Sequence, residues 1–236
     1  MNIVLDVGNT FIKIGAFEKD TFLWATTVEH TNDVLDIVRK HMPSCVFISS
    51  VRESFVVAGL AEVCDVIYFT QHTKLPIALS YKTPETLGTD RIAAGVGASV
   101  LFPAQNTLVF DVGTCLTHGV MDVSKTFLGG SISSGLDMRL KALAHFTAKL
   151  PLIEYKDVSV ELTGKSTAES ILSGVLNGMQ FEIEGFIAAY RNKYPTINVL
   201  LTGGNASLFE KRLKEPIFVV AELNLIGLNR ILNHNV

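Results

Sequence analysis

Asn2-Ile3-Val4-Leu5-Asp6-Val7-Gly8-Asn9-Thr10 near the start and Thr107-Leu108-Val109-Phe110-Asp111-Val112-Gly113-Thr114-Cys115 near the middle are two copies of one phrase. Each is a β-rich apolar run that ends in Asp-Val-Gly and a small polar pair. A second strand-like run follows each copy, residues 11–17 and 116–121, so each copy reads as a hairpin with an acid, a glycine and hydroxyl or amide groups at its turn. Such turns suit phosphate: glycine lets the backbone approach an anion and present its N–H groups. The aspartate, unfavourable toward phosphate by itself, makes sense with a cation between the two. The repeat divides the chain into two related lobes, 1–105 and 106–236, expected to close on one ligand.

Composition narrows the function. With 236 residues, 48% of them hydrophobic, the chain can bury a substantial core. A formal net charge of −3 and the lack of any Lys/Arg run give no attraction to nucleic acid or to an anionic membrane, so the partner is expected to be a small molecule. Met1 leads straight into a strand, and no apolar stretch reaches the ~18 residues of a membrane span, which predicts a cytoplasmic protein. Cys45, Cys64 and Cys115 are odd in number and far apart, indicating neither a disulfide framework nor a zinc site, and read as buried thiols.

The pattern between and beyond the hairpins alternates strand and helix. Strands are predicted over 21–28, 45–51, 66–69, 126–132, 197–202 and 217–220, and helices over 31–41, 54–62, 90–102 and 136–146, with another opened by Gly203-Gly204-Asn205 and a last one after 220 running to about 233. The 90–102 helix carries Ala93, Ala94, Gly95, Gly97 and Ala98 and so must pack closely on a neighbour. Ser166 and Glu169 form a Ser-x-x-Glu capping box for a long helix with an apolar face of Leu172, Val175, Met179, Ile183, Phe186 and Tyr190.

Taken in order, Asp6-x-Gly8-Asn9-Thr10-x-x-Lys13, Gly88-Thr89-Asp90-Arg91, Asp111-x-Gly113-Thr114 and Gly129-Gly130-Ser131-Ile132 resemble the type III pantothenate kinases. Gly164-Lys165-Ser166-Thr167 and Leu201-Thr202-Gly203-Gly204 extend the resemblance over nearly the whole chain. It implies an α/β fold of two related actin-like (ribonuclease H-like) lobes, mixed sheets flanked by helices, with the active site in the cleft between them. It also implies transfer of the γ-phosphoryl of ATP to the 4′-hydroxyl of pantothenate, the first step of coenzyme A biosynthesis, with Mg2+ accompanying ATP, a K+ or NH4+ ion, and a homodimer. No Gly-x-x-x-x-Gly-Lys-Ser/Thr loop is present, as in that family.

The resemblance assigns roles residue by residue. Asp6, Val7, Gly8, Asn9, Thr10, Phe11, Ile12 and Lys13 would cradle the ATP phosphates, with Lys13 a point charge on the second strand. Asp90 would accept the hydroxyl proton and Arg91 would grip the substrate carboxylate, with Tyr81, Gly88, Thr89 and Thr167 as further substrate contacts. Asp111 would hold the monovalent cation and Thr114 would touch ATP. Simpler readings stay open: Asp90 as the cap of its helix, Asp111 as a turn residue bonded to backbone N–H groups, and the Thr167 hydroxyl serving only its helix N-terminus.

Two departures from the family pattern bear on the second hairpin. The chain continues Cys115-Leu116-Thr117-His118-Gly119 where the family has Ala-Thr-Thr and then another Asp, and Ser134 replaces an expected proline. His118 is expected to be a strand histidine facing solvent. Outside the family reading, the hairpin pair also fits an actin-like kinase or phosphohydrolase for another small alcohol or phosphate, or a nucleotide-binding regulatory protein without catalysis.

Overall fold

The computed structural model describes residues 1–155 and 160–236. Among them the chain forms two compact units, one made of residues 1–105, 121–129 and 222–236 and the other of 106–120 and 130–221.

The first unit is built on a mixed five-stranded sheet of β1 (Asn2–Val7), β2 (Ile12–Glu18), β3 (Thr21–Val28), β4 (Cys45–Ser50) and β5 (Asp65–Tyr68), in the order β3-β2-β1-β4-β5. Strands β1, β2 and β3 are antiparallel neighbours, whereas β4 runs parallel to β1 and β5 parallel to β4. Central β1 is apolar on both faces, as a strand covered on both sides must be. Ile3, Leu5 and Val7 share one face with Ile12, Ile14, Val46 and Ile48, packed against Val34 and Val38 of helix α1 (Thr31–His41). That helix stops where Met42 turns left-handed and its N–H reaches Val38 O.

The opposite face is covered by α7 (Leu223–Asn235), which itself packs on α2 (Thr89–Leu101). The small residues of α2 explain how. A Cβ on Gly97 would sit 2.3 Å from Leu223 O, and one on Gly227 would sit 1.9 Å from Ala93 O, so the two helix backbones nearly touch. Strand β6 (Ala78–Leu79) pairs in parallel with the start of β9 (Thr126–Ser134).

The second sheet repeats the plan of the first. With β7 (Thr107–Val112), β8 (Cys115–Met121), β10 (Asn198–Thr202) and β11 (Phe218–Val219) its order is β11-β10-β7-β8-β9-β6. Setting β6 aside, β7, β8, β9, β10 and β11 occupy the positions that β1 to β5 hold in the first sheet, and β10 runs parallel to β7 as β4 does to β1. The duplicated phrase is therefore a duplicated architecture. Helices α3 (Leu136–Phe146) and α6 (Ala206–Glu210) complete the second unit with a long helix of three parts: α4 (Thr167–Leu172), a π turn over Ser173–Asn177, and α5 (Gly178–Lys193).

The short helix predicted over 54–62 shrinks to a single 3-10 turn, Leu60–Glu62, because Ser54 (φ 53°) and Gly59 (φ 80°) both leave helical space. The three cysteines are half-buried free thiols, not buried ones. Burial, with Cys64 and Asp65 beside it, pushes the Cys45 thiol up to about 11. No helix among the described residues is long and apolar enough to cross a membrane.

Candidate active site

Sheet register places the first cluster. Asp6 of β1 lies opposite Lys13 of β2 and opposite Ser49 of β4, so Lys13, Asp6 and Ser49 form a row across three strands on the α7 face. Two helix N-termini are tied to that row. Asn224, at the start of α7, donates from Nδ2 to Asp6 Oδ2 at 3.2 Å. Ser49 Oγ donates to Thr89 Oγ1, at the start of α2, at 2.9 Å. Burial raises the Asp6 carboxyl above its usual value, against the pull of the Asn224 hydrogen bond and the Lys13 charge; the Asp90 charge raises it further. Asp6, Lys13 and Asp90 thus share one electrostatic neighbourhood.

The turn beyond Asp6 is closed by Gly8 N–H bonding to Phe11 O at 3.0 Å. Val7 and Ile12 are buried in the core, so they offer only backbone to a ligand, whereas Asn9, Thr10 and Phe11 are exposed. Two bonds from the segment after β4 brace this turn: Val51 N–H to Val7 O at 3.0 Å, and Arg52 Nε to Gly8 O at 2.7 Å.

Gly88 is the N-cap of α2, its carbonyl accepting from Ile92 N–H at 3.1 Å, so Asp90 stands inside the first turn and is not the cap. The Asp90 carboxylate folds back over Gly88 and accepts from Arg91 N–H at 2.8 Å. A Cβ at position 88 would come within 2.4 Å of Asp90 Oδ1. Arg91 is only 8% exposed, its guanidinium lying over the rings of Tyr81 (5.8 Å) and Phe127 (5.7 Å). Its Nη1 also donates to the Tyr81 hydroxyl at 3.4 Å. Tyr81 in turn rests on Gly129, whose φ of +94° and lack of a side chain let the ring approach.

The second unit carries the other assigned residues. Asp111, next to last in β7, lies opposite Thr202 of β10, the counterpart of the Asp6–Ser49 pairing. Its carboxylate is wedged against two glycines: a Cβ would lie 2.4 Å from Oδ1 at Gly203 and 3.2 Å at Gly113. Thr114 is exposed, and its carbonyl accepts from Gly135 N–H at 3.2 Å. Thr167 is exposed at the first position of α4, where capping falls to Ser166: its Oγ accepts from Glu169 N–H at 3.2 Å. The Glu169 carboxylate completes the box on Lys165 N–H at 2.7 Å, one residue earlier than the usual partner.

His118 does not face solvent. It is 3% exposed, with its ring against Phe110 and Phe186, Nδ1 bonded to Ser131 Oγ at 2.7 Å and Nε2 to the Tyr190 hydroxyl at 3.3 Å. The long helix covers that face of β8, which alternation along one strand does not reveal. The loop at Ser134 is held by side chains where the family uses proline. Arg139 Nε donates to Ser134 O at 2.8 Å, Ser133 Oγ donates to Glu182 at 2.6 Å, and Arg139 and Glu182 form a half-buried ion pair.

Ser49, Arg52 and Asn224 are residues of this cluster that sequence reasoning missed. Asn224 lies 218 residues from its partner, and nothing local marks it. Arg52 had a signal, since it lies two residues beyond β4, whose C-terminal end adjoins that of β1 in a parallel pair.

The sequence family of type III pantothenate kinases matches residues 2–189. A type III pantothenate kinase from Cytophaga hutchinsonii is 64% identical over 236 residues, covering 100% of both chains. Among solved structures, a conserved Campylobacter jejuni protein assigned to the Baf family of transcriptional activators has a TM-score of 0.65 at 20% identity, over 99% of this chain and 98% of that one. The activator of 2-hydroxyisocaproyl-CoA dehydratase from Clostridium difficile, with bound ADPNP, gives 0.56 at 12% identity, over 99% and 93%. At those identities the likeness is one of fold, the actin-like α/β fold. Full-length identity of 64% and a family match over most of the sequence leave one assignment: the chain belongs to the type III pantothenate kinase family.

Proposed function

We propose that the chain transfers the γ-phosphoryl group of ATP to the 4′-hydroxyl of pantothenate, giving ADP and 4′-phosphopantothenate in the first step of coenzyme A biosynthesis. Beside family membership, one observation carries the site assignment: Asp90 and Arg91 start a helix whose N-terminus is tied to the Asp6–Lys13 row through Ser49 and Thr89. That tie supports reading Asp90, Arg91 and the Gly8–Lys13 turn as parts of one site.

In this reading the turn from Gly8 to Lys13 takes the polyphosphate on backbone N–H groups and the Lys13 ammonium. Asp90 accepts the hydroxyl proton as the new O–P bond forms and the bond to the ADP oxygen breaks. Arg91, held between Tyr81 and Phe127, takes the pantothenate carboxylate, with Tyr81, Gly88 and Thr89 beside it in the same unit. The family pattern alone assigns Thr167 to pantothenate and Thr114 to ATP.

Among the described residues no group of three or more His, Cys, Asp or Glu is gathered as a metal cage. Asp111, a single carboxylate wedged against Gly113 and Gly203, would hold a monovalent ion, and Mg2+ would arrive on ATP. When bound, the ions would offset polyphosphate charge. We place the enzyme in the cytoplasm as a homodimer, with exposed Phe181 of α5 contributing to the subunit boundary.

ATP turnover measured with and without pantothenate, with the product mass determined, tests the activity. Turnover independent of pantothenate would overturn it. Adding potassium to an assay buffered with Tris alone tests the cation, and a monomeric mass at full activity would remove the dimer.

A further inference from the structure

Arg52 lies outside every motif that marks the family resemblance, yet it reaches into the first phosphate turn. Ser50 Oγ accepts from Arg52 N–H at 3.0 Å and donates to Arg52 O at 3.1 Å, folding the chain back immediately after β4. The side chain then crosses to the neighbouring turn, where Nε donates to Gly8 O at 2.7 Å. The fixed dimensions of the planar group put both terminal nitrogens within about 5 Å of that oxygen. Neither makes a hydrogen bond or an ion pair with any described residue.

The charges around the turn make that arrangement informative. Lys13 is matched across the strands by Asp6, and Asp90 adds a second negative charge to the same neighbourhood. A polyphosphate entering there meets an electrostatic balance that Lys13 alone leaves unfavourable. Arg52 brings a guanidinium fixed by one N–H, with its remaining donors uncommitted, beside the glycine whose backbone the anion would approach.

We infer that Arg52 is a phosphate-binding residue of the ATP site, its Nε anchored on Gly8 O and its terminal NH2 groups donating to the polyphosphate. The inference rests on the reading of the Gly8–Lys13 turn as the phosphate site. A guanidinium held by Nε offers both terminal nitrogens to one anion, a geometry lysine does not reproduce.

Calorimetric titration of ATP and adenosine into the wild type, Arg52→Ala and Arg52→Lys decides it. A charged hydrogen bond lost from the phosphates should weaken ATP binding by about ten- to a hundredfold in Arg52→Ala, with adenosine unchanged and Arg52→Lys intermediate. ATP affinity unchanged in Arg52→Ala overturns the inference. So does an equal loss for adenosine, since that reduces Arg52 to a brace for the turn. If Arg52→Ala does not fold, Arg52→Lys decides alone: a loss confined to ATP supports the contact, and no loss or an equal loss overturns it. A wild type that binds ATP no more tightly than adenosine sinks the phosphate-turn reading itself, and the inference with it.

Discussion

Replacing Gly88 by alanine should cripple the enzyme while scarcely unfolding it. Gly88 has φ −55° and ψ 135°, values any residue adopts, so the substitution costs no backbone strain. Alanine is a poorer N-cap than glycine, which costs about 0.5–1 kcal/mol. For a chain of this size that is a fall in Tm of about 1–4 °C. The steric effect falls on one atom. The new Cβ would lie 2.4 Å from Asp90 Oδ1, whereas real Cβ contacts almost never come under 3.0 Å, so the carboxylate must leave its seat and its bond to Arg91 N–H. Displacements approaching 1 Å in a catalytic group cost about a hundredfold in rate. We expect kcat to fall by about ten- to a hundredfold, with ATP affinity by calorimetry unchanged. A Gly88→Ala enzyme with wild-type kcat would show that the seat of the Asp90 carboxylate is irrelevant to turnover, and Asp90 would lose its role as base.

Three more expectations follow from the same cluster. Asp90→Asn should lower kcat by about two to four powers of ten while ATP binding survives, and near-normal turnover would remove Asp90 from the chemistry. Arg91→Lys keeps a charge but loses the flat group held over Tyr81 and Phe127, so KM for pantothenate should rise well beyond KM for ATP; a parallel rise would make Arg91 a packing residue. Asp6→Asn should separate stability from function. Because burial raises the Asp6 carboxyl, its contribution to stability is present below the unfolded value of 3.8 and is lost as pH climbs through the folded value. Relative to wild type, the asparagine variant should therefore gain Tm from acid toward neutrality while losing ATP affinity, and a Tm difference independent of pH would refute the desolvation argument.

Much of this could be read from the sequence because it is local. The duplicated Asp-Val-Gly phrase announced two related units, and the helical pattern over 31–41 matches α1 at Thr31–His41. The small residues of α2 demanded a close neighbour, though only the structure identifies it as α7. What escaped was set by partners distant in sequence. His118 looks like a surface residue until Tyr190, 72 positions away, covers it, and Asn224 becomes meaningful only beside Asp6. The exposed Thr114 and Thr167 are legible only through the family pattern, since nothing in their own neighbourhoods separates them from other surface threonines.

The π turn in the long helix has a consequence for sequence length. It contains one residue more than an α-helix needs for the same advance, and so rotates everything after it by about 100° relative to everything before. Ser173 and Asn177, four residues apart within it, share one face and both turn inward. Ser173 Oγ donates to Leu162 O, and Asn177 donates to Glu161 O while accepting from Arg212. A relative lacking one residue between 173 and 177 would run on as unbroken α-helix, with α4, and Thr167 at its start, turned by about 100° relative to α5. In this stretch a single-residue gap between two chains would therefore mark a change in how Thr167 is presented, and would not be the neutral length variation usual in loops.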